Sequence, residues 1–391
     1  MDLDFHAQDV EERQDEILKL FRTLGQSYDG FSNRLPLWMQ PRLVLKRRRL
    51  ARGIDDLLAV QVRKKFAEIQ REKAAGGSSS SSKKSRSVLS LSLQGVDRLD
   101  DRYTRQTCDQ LKTFLLAGHD TTSILLQWAF YELSRTPRAL AAIRAELDDV
   151  FGPATGAGAD ADAVPALLRR RGDELLQRLP YTSAVVKETL RLHPPAGSAR
   201  LIPKGTGFMV PGPQGRDVCI DDMVLYLCQS MIQCDPAVYG DRADVFAPER
   251  WLGDTDTSMS TNSGLELDES AKPGATGAAS KIPPSAWRPF ERGPRNCIGQ
   301  ELANIEARVI LAVTLRRYDF VKAGQGELDL DGDGQPQLDE ATGQFRTKSP
   351  LFNVSLAASP SGRGNPRMGE FVSLTACRPF TLLPSPSTSV S

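Results

Sequence analysis

The chain has 391 residues, with 50 basic against 49 acidic side chains, 40% apolar and 25% charged residues. This composition excludes a wholly disordered chain, and a net charge of +1 argues against a nucleic-acid partner, which selects for a basic excess. No run of 18 apolar residues occurs, so no transmembrane helix is expected, and the acidic start MDLDFHAQDVEERQDE lacks the basic and apolar regions of a secretory signal.

Within residues 1–24 the spacing of Ile17, Leu18, Leu20, Phe21 and Leu24 predicts a helix, and PLWMQP at 36–41 punctuates the chain after it. From Leu43 to Lys73, Ile54, Leu57, Leu58, Val62, Phe66 and Ile69 recur at helical spacing. The basic cluster Lys46 to Arg49 on this helix reads as a solvated face, with a membrane-surface or partner contact as the alternative. Residues 74–87, AAGGSSSSSKKSRS, form a low-complexity insert that cannot bury apolar area.

Helical patterns follow from Thr104 to Arg135, from Ala139 to Phe151 and over 173–193, the last stopped by Pro194 and Pro195. Val218 to Leu227 has strand composition, and 298–318 reads as a helix. Residues 253–280 and 323–349 read as two further low-complexity inserts, and 386–391 as a disordered tail. The expected class is mainly α with small β-sheets, and a length of 391 residues leaves the number of domains open.

The six cysteines show no CxxC pair and no dense framework, so reduced thiols in an intracellular protein are expected. Only three histidines occur, His6, His119 and His193, which disfavours a metal site built from several imidazoles. A site using one Cys is left open.

The sharpest feature is Phe290-Glu-Arg-Gly293-Pro-Arg295-Asn-Cys297-Ile-Gly299. A thiolate is a strong soft ligand for iron, and a nearby cation with backbone N–H donors would hold it ionised. Gly293 and Gly299 permit close approach to a flat ligand or a tight turn, and Phe290 could lie beneath a macrocycle. The helix beginning near Ile298 would set its positive end beside Cys297. A lone Cys before a helix is usually structural; here every separate role in the spacing is filled.

This stretch closely resembles the haem-binding signature of the cytochrome P-450 family, the haem-thiolate monooxygenases. The resemblance makes Cys297 the proximal ligand of the iron of haem b, where thiolate ligation favours O–O cleavage, and gives Arg295 a haem propionate.

Three more segments extend it. Ala117-Gly118-His119-Asp120-Thr121-Thr122 lies inside a helical pattern, where a Thr hydroxyl can compete for a carbonyl of the preceding turn. A carboxylate and a hydroxyl there can relay protons, or simply face solvent. The segment resembles the family's oxygen-activation motif, which gives Asp120 and Thr121 the acid–alcohol roles and sets Ala117 and Gly118 along the distal haem face.

Glu188 and Arg191 share a helix face at i,i+3, a pattern usually found as a weak surface ion pair, and Glu68-Ile-Gln-Arg71 spells it by chance. Lys187 to Pro195 resembles the family's buried helix with its proline stop. Arg200 stands where members often place a propionate-binding Arg; His193 could lie near a propionate but is expected at a solvent-facing helix end. In Phe246-Ala-Pro248-Glu249-Arg250-Trp251 the resemblance makes Arg250 the third member of a structural triad with Glu188 and Arg191.

Asp329 to Gly334 with Glu340 fits a calcium-loop spacing, but Pro336 and poor flanking helices argue for a solvated acidic loop, so no calcium is expected. Asn353-Val-Ser355 is a glycosylation sequon without a signal peptide.

The resemblance implies insertion of one oxygen atom of dioxygen into a small apolar organic substrate, a fungal secondary metabolite, with electrons from NADPH through a separate reductase. The alternatives are a haem-thiolate isomerase or dehydratase that uses no dioxygen, and a non-catalytic remnant. The resemblance makes residues 1–385 the C-terminal part of a single cytochrome P-450 domain, because the motifs lie earlier in this chain than in longer family members. An N-terminally truncated member is therefore expected, with weak haem retention and no anchor, although the full-length relatives would sit at the endoplasmic reticulum membrane.

Overall fold

The structure is a computed structural model, and it describes residues 15–28, 36–74, 87–153, 163–212, 215–252, 282–349, 351 and 381–384. The segments 75–86, 253–281 and 385–391, which contain most of two expected inserts and the tail, lie outside the described residues, as does the sequon at Asn353. The chain divides into two compact units, Met1–His119 and Asp120–Ser391.

The first unit holds α1 (Glu16–Gln26), a 3-10 turn at Leu37–Met39, α2 (Pro41–Ala74), α3 (Val88–Ser92) and the first half of α4 (Asp101–Arg135). Asp15 starts α1, its carboxylate accepting the Ile17 N–H at 2.8 Å. Pro41 opens α2, where its missing N–H costs nothing. Ile17, Ile54, Leu58, Val62, Leu89, Leu93, Cys108 and Leu111 make the core. Each such aliphatic side chain contributes about 1.5–3 kcal/mol on burial. Within the basic cluster expected to be solvated, Arg47 donates to the carbonyl and hydroxyl of Ser27 and stacks over Tyr28 at 3.9 Å. It therefore caps the C-terminal end of α1, because orphan carbonyls there need donors.

The second unit continues α4 and adds α5 (Pro137–Phe151), α6 (Ala163–Gln177) and α7 (Pro180–Leu192). Short strands β1 (Ser198–Leu201), β2 (Met209–Pro211), β3 (Asp217–Cys219) and β4 (Val224–Leu227) follow, then α8 (Gln229–Ile232), α9 (Pro236–Tyr239) and α10 (Gln300–Thr314). The unit ends with β5 (Tyr318–Val321), β6 (Leu338–Asp339), β7 (Gln344–Phe345) and β8 (Thr381–Pro384). Among the described residues the strands pair antiparallel as β1–β4, β2–β3, β5–β8 and β6–β7. Leu125, Ala129 and Leu133 of α4, Ile143 and Leu147 of α5, Val185 and Leu190 of α7, and Ala307 and Leu311 of α10 interdigitate in its core. The result is mainly α with small β-sheets.

Three readings of the sequence change. The single helix expected over 173–193 is two, because Pro180 has no N–H to continue a helix and instead starts α7. The strand expected within 218–227 is split between β3 and β4 by a turn in which Asp222 adopts φ 59°. The stretch 323–349, expected as a low-complexity insert, is a folded β meander. Its Asp and Gly residues supply turns: Asp331 Oδ1 accepts from the N–H of Asp333 and Gln335, and Gly334 and Gly343 have φ of 77° and 68°. Gln344 anchors it, donating from a buried amide to Glu132 at 3.1 Å and Thr136 at 2.9 Å.

Candidate active site

Cys297 sits in a tight loop between the 3-10 turn Pro284–Ala286 and α10. The Cys297 N–H donates to Phe290 O at 2.9 Å and the Asn296 N–H to Gly293 O at 3.0 Å, so the loop closes on itself. Gly293 has φ 85°, a left-handed conformation that glycine adopts without strain. The sulfur lies 3.8 Å from where a Cβ at Gly299 would stand, so glycine leaves the space beside it open.

Of the five described cysteines, all free, Cys297 and Cys219 are exposed. Burial pushes the thiols of Cys108 and Cys234 up, which disfavours their thiolate forms. Cys297 differs from Cys219 in its position just before the N-terminus of α10, a 15-residue helix whose positive end favours an anion. Ile298 is 89% and Leu302 64% exposed, and Arg295 is exposed on the same loop. A thiol, an apolar strip and a cation displayed together fit a flat, partly apolar, dianionic macrocycle bearing a metal.

Beneath the loop lies a buried polar network. Arg191 and Glu188, both fully buried, form a bidentate pair: Nε donates to Oε2 at 2.9 Å and Nη2 to Oε1 at 2.8 Å. Arg191 spends its remaining N–H groups on the carbonyls of Gln233, Ala243 and Val245, so all five donors are satisfied. Arg250 Nε reaches Glu188 Oε1 at 3.3 Å, which brings the three expected triad residues together. Burial opposes the charged form of Arg191, but the hydrogen bonds and charge of Glu188 outweigh it and raise its pKa further.

Sequence reasoning missed the residues that join this network to the loop. Trp251 Nε1 donates to Glu188 Oε2 at 2.9 Å; its ring meets Trp287 edge-on at 6.0 Å, and Trp287 meets Phe290 at 6.2 Å. The buried Gln233 donates to the carbonyls of Leu190 and Arg191 and accepts the Arg288 N–H at 2.6 Å. Trp251 adjoins Arg250 within a quoted motif, a usable signal; nothing local marks Gln233.

The other expected residues are placed as follows. α4 runs unbroken through Ala117, Gly118, Asp120 and Thr121; the first three are exposed and Thr121 is half-buried. Within this turn the Ser123 hydroxyl donates back to Asp120 O at 2.9 Å. Arg200 lies on β1 opposite Leu225, exposed, with Nη1 donating to Ala199 O at 2.9 Å. His193 is not at a solvent-facing end: it stacks on Trp128 at 3.7 Å and bonds Glu132 Oε1 at 2.9 Å through Nε2. The flat imidazole fills a slot between α7 and α4 that the sequence pattern does not reveal. No helix among the described residues is long and apolar enough to cross a membrane.

The cytochrome P450 family model matches residues 3–338 of this chain. The chain belongs to the cytochrome P450 family. Cytochrome P450 monooxygenase acrF of Aspergillus aculeatus is 31% identical over 366 residues, covering 87% of this chain and 67% of that protein. Cytochrome P450 monooxygenase polC of Polytolypa hystricis is 34% identical over 237 residues, 58% of this chain and 36% of the relative. A bifunctional cytochrome P450/NADPH–P450 reductase of Aspergillus oryzae is 35% identical over 215 residues, 54% of this chain and 16% of the relative. The chain thus spans about two thirds of the first P450 relative and about a third of the second. The family's cofactor is haem, and the Cys297 loop presents the groups that such a cofactor requires.

Proposed function

We propose that this chain carries the haem-thiolate centre of a P450 monooxygenase that inserts one atom of dioxygen into a small apolar organic molecule of fungal secondary metabolism. The observation that carries the reading is the exposed Cys297 at the positive end of α10, in a loop braced by the buried Glu188–Arg191–Arg250 network. Haem, when bound, supplies the iron at which dioxygen is reduced and activated. Cys297 holds it as thiolate ligand, stabilised by the dipole of α10. Arg295, with Arg200, neutralises the propionates, and Phe290 together with the small Gly299 shapes the face beside the sulfur.

Asp120 and Thr121 pass protons from solvent along α4, the carboxylate receiving and the hydroxyl delivering them. Two electrons come from NADPH through a reductase, a supply that the fused reductase named in the Aspergillus oryzae relative supports. The test is the carbon monoxide difference spectrum of the reduced, haem-supplied chain. A long-wavelength Soret band that Cys297→Ala abolishes is expected. A folded chain without that band, or a band indifferent to Cys297→Ala, sinks the reading.

A further inference from the structure

The Cys297 loop contains one feature that the roles above leave unexplained. Glu291, directly after Phe290, adopts φ 59°. This left-handed conformation strains any residue with a Cβ, so the surroundings must hold it there. The side chain, 12% exposed, is gripped at both oxygens: Gln229 Nε2 donates to Oε1 at 2.6 Å, and Arg288 Nη2 to Oε2 at 3.3 Å. Gln229 is buried at the start of α8, and Arg288 donates its backbone N–H to Gln233, which in turn holds the carbonyls of Leu190 and Arg191.

A continuous run of hydrogen bonds therefore leads from the buried Arg191 to Glu291. The peptide next to Glu291 supplies the Phe290 carbonyl that receives the Cys297 N–H. Burial, and after it the Arg288 charge, depresses Arg292 on the same loop.

We propose that Glu291 is the positioning residue of the thiolate loop: its carboxylate, held by Gln229 and Arg288, locks the left-handed turn that pairs Phe290 O with Cys297 N–H and so sets where the sulfur stands. The consequence for haem ligation rests on the P450 reading above; the locking of the loop does not.

Glycine separates this proposal from a purely conformational need. Glu291→Gly relieves the backbone, so if φ alone mattered the loop would be unchanged or firmer. On the proposal the loop loosens. Hydrogen exchange of the Cys297 amide in the full chain, measured without haem, is expected to be roughly tenfold faster in Glu291→Gly, the scale of one lost charge-assisted hydrogen bond. Gln229→Ala, which leaves the Arg288 contact, should give a smaller change in the same direction, and the double variant little more than Glu291→Gly alone, because that variant already removes both links. Glu291→Gln, which keeps an acceptor, should recover part of the protection. Unchanged exchange in Glu291→Gly, additive effects, or equal acceleration throughout the core of α10 would each overturn the proposal. With haem supplied, the loosened variants should lose thiolate-type carbon monoxide signal relative to the parent chain. A parent chain without that signal removes the monooxygenase reading, while the haem-free exchange still decides the role of Glu291.

Discussion

Trp251 donates its indole N–H to Glu188 Oε2 at 2.9 Å, on the carboxylate that already receives two bonds from Arg191. Glu188 Oε1 additionally accepts the Ala247 N–H at 3.0 Å and Arg250 Nε at 3.3 Å. One buried carboxylate thus organises the end of α7, the Phe246–Trp251 segment and, through Trp287, the approach to the Cys297 loop. Trp251→Phe keeps the ring and removes the donor. It should cost about 1–2 kcal/mol, since the other four bonds survive. Urea unfolding of the two chains measures this.

Glu188→Ala removes the whole anchor and leaves the Arg191 guanidinium buried and unpaired. A loss of about 3–5 kcal/mol is expected, with a smaller loss for Glu188→Gln, which retains one acceptor but no charge. Arg191→Lys should not be benign either, because a single ammonium cannot serve five positions at once. Equilibrium denaturation with α7 and α10 probes tests all three variants.

Glu132 gives the second unit an acid-sensitive joint. Burial would raise its carboxyl, but the hydrogen bond and charge of His193, then Arg135 and Gln344, outweigh burial and hold it below the usual carboxylate range. A group depressed by folding adds stability that is fully present above its unfolded value of about 4.3 and is lost as pH falls through the lower folded value. Stability should therefore fall on acidification below about pH 5, and more steeply than in Glu132→Gln. Urea midpoints measured over an acid pH series check it; parallel curves would remove Glu132 as a cause.

Gln344 holds the meander over 323–349 to α4. Gln344→Ala strips Glu132 and Thr136 of a buried donor and should cost about 1–3 kcal/mol. Amide exchange over β6 and β7 should accelerate before that of α5 or α7. Uniform acceleration throughout the second unit would show that the meander is not a separate weak point.

The long helices were legible because their apolar positions repeat at helical spacing, and Ile54, Leu58 and Val62 are buried where that spacing sets them. The Cys297 loop was legible for a related reason: ten contiguous residues carry the thiol, the cation and the glycines. The meander was misread because Gly, Asp and Gln make ordered tight turns and disordered linkers alike. Only the partner, Glu132, 212 residues from Gln344, distinguishes them. His193 was misread because its partners Trp128 and Glu132 sit on another helix.

By itself the sequence determined the helical character, the family to which the chain belongs and the thiol that stands before α10, since periodicity and short motifs are properties of neighbouring residues. The tertiary structure decided which polar groups are buried and with whom they pair. Trp251 lies 63 residues from Glu188, and Gln229 lies 62 from Glu291. Such pairings are set by the exclusion of water from a packed interior, where most buried donors are paired with an acceptor whatever its distance along the chain.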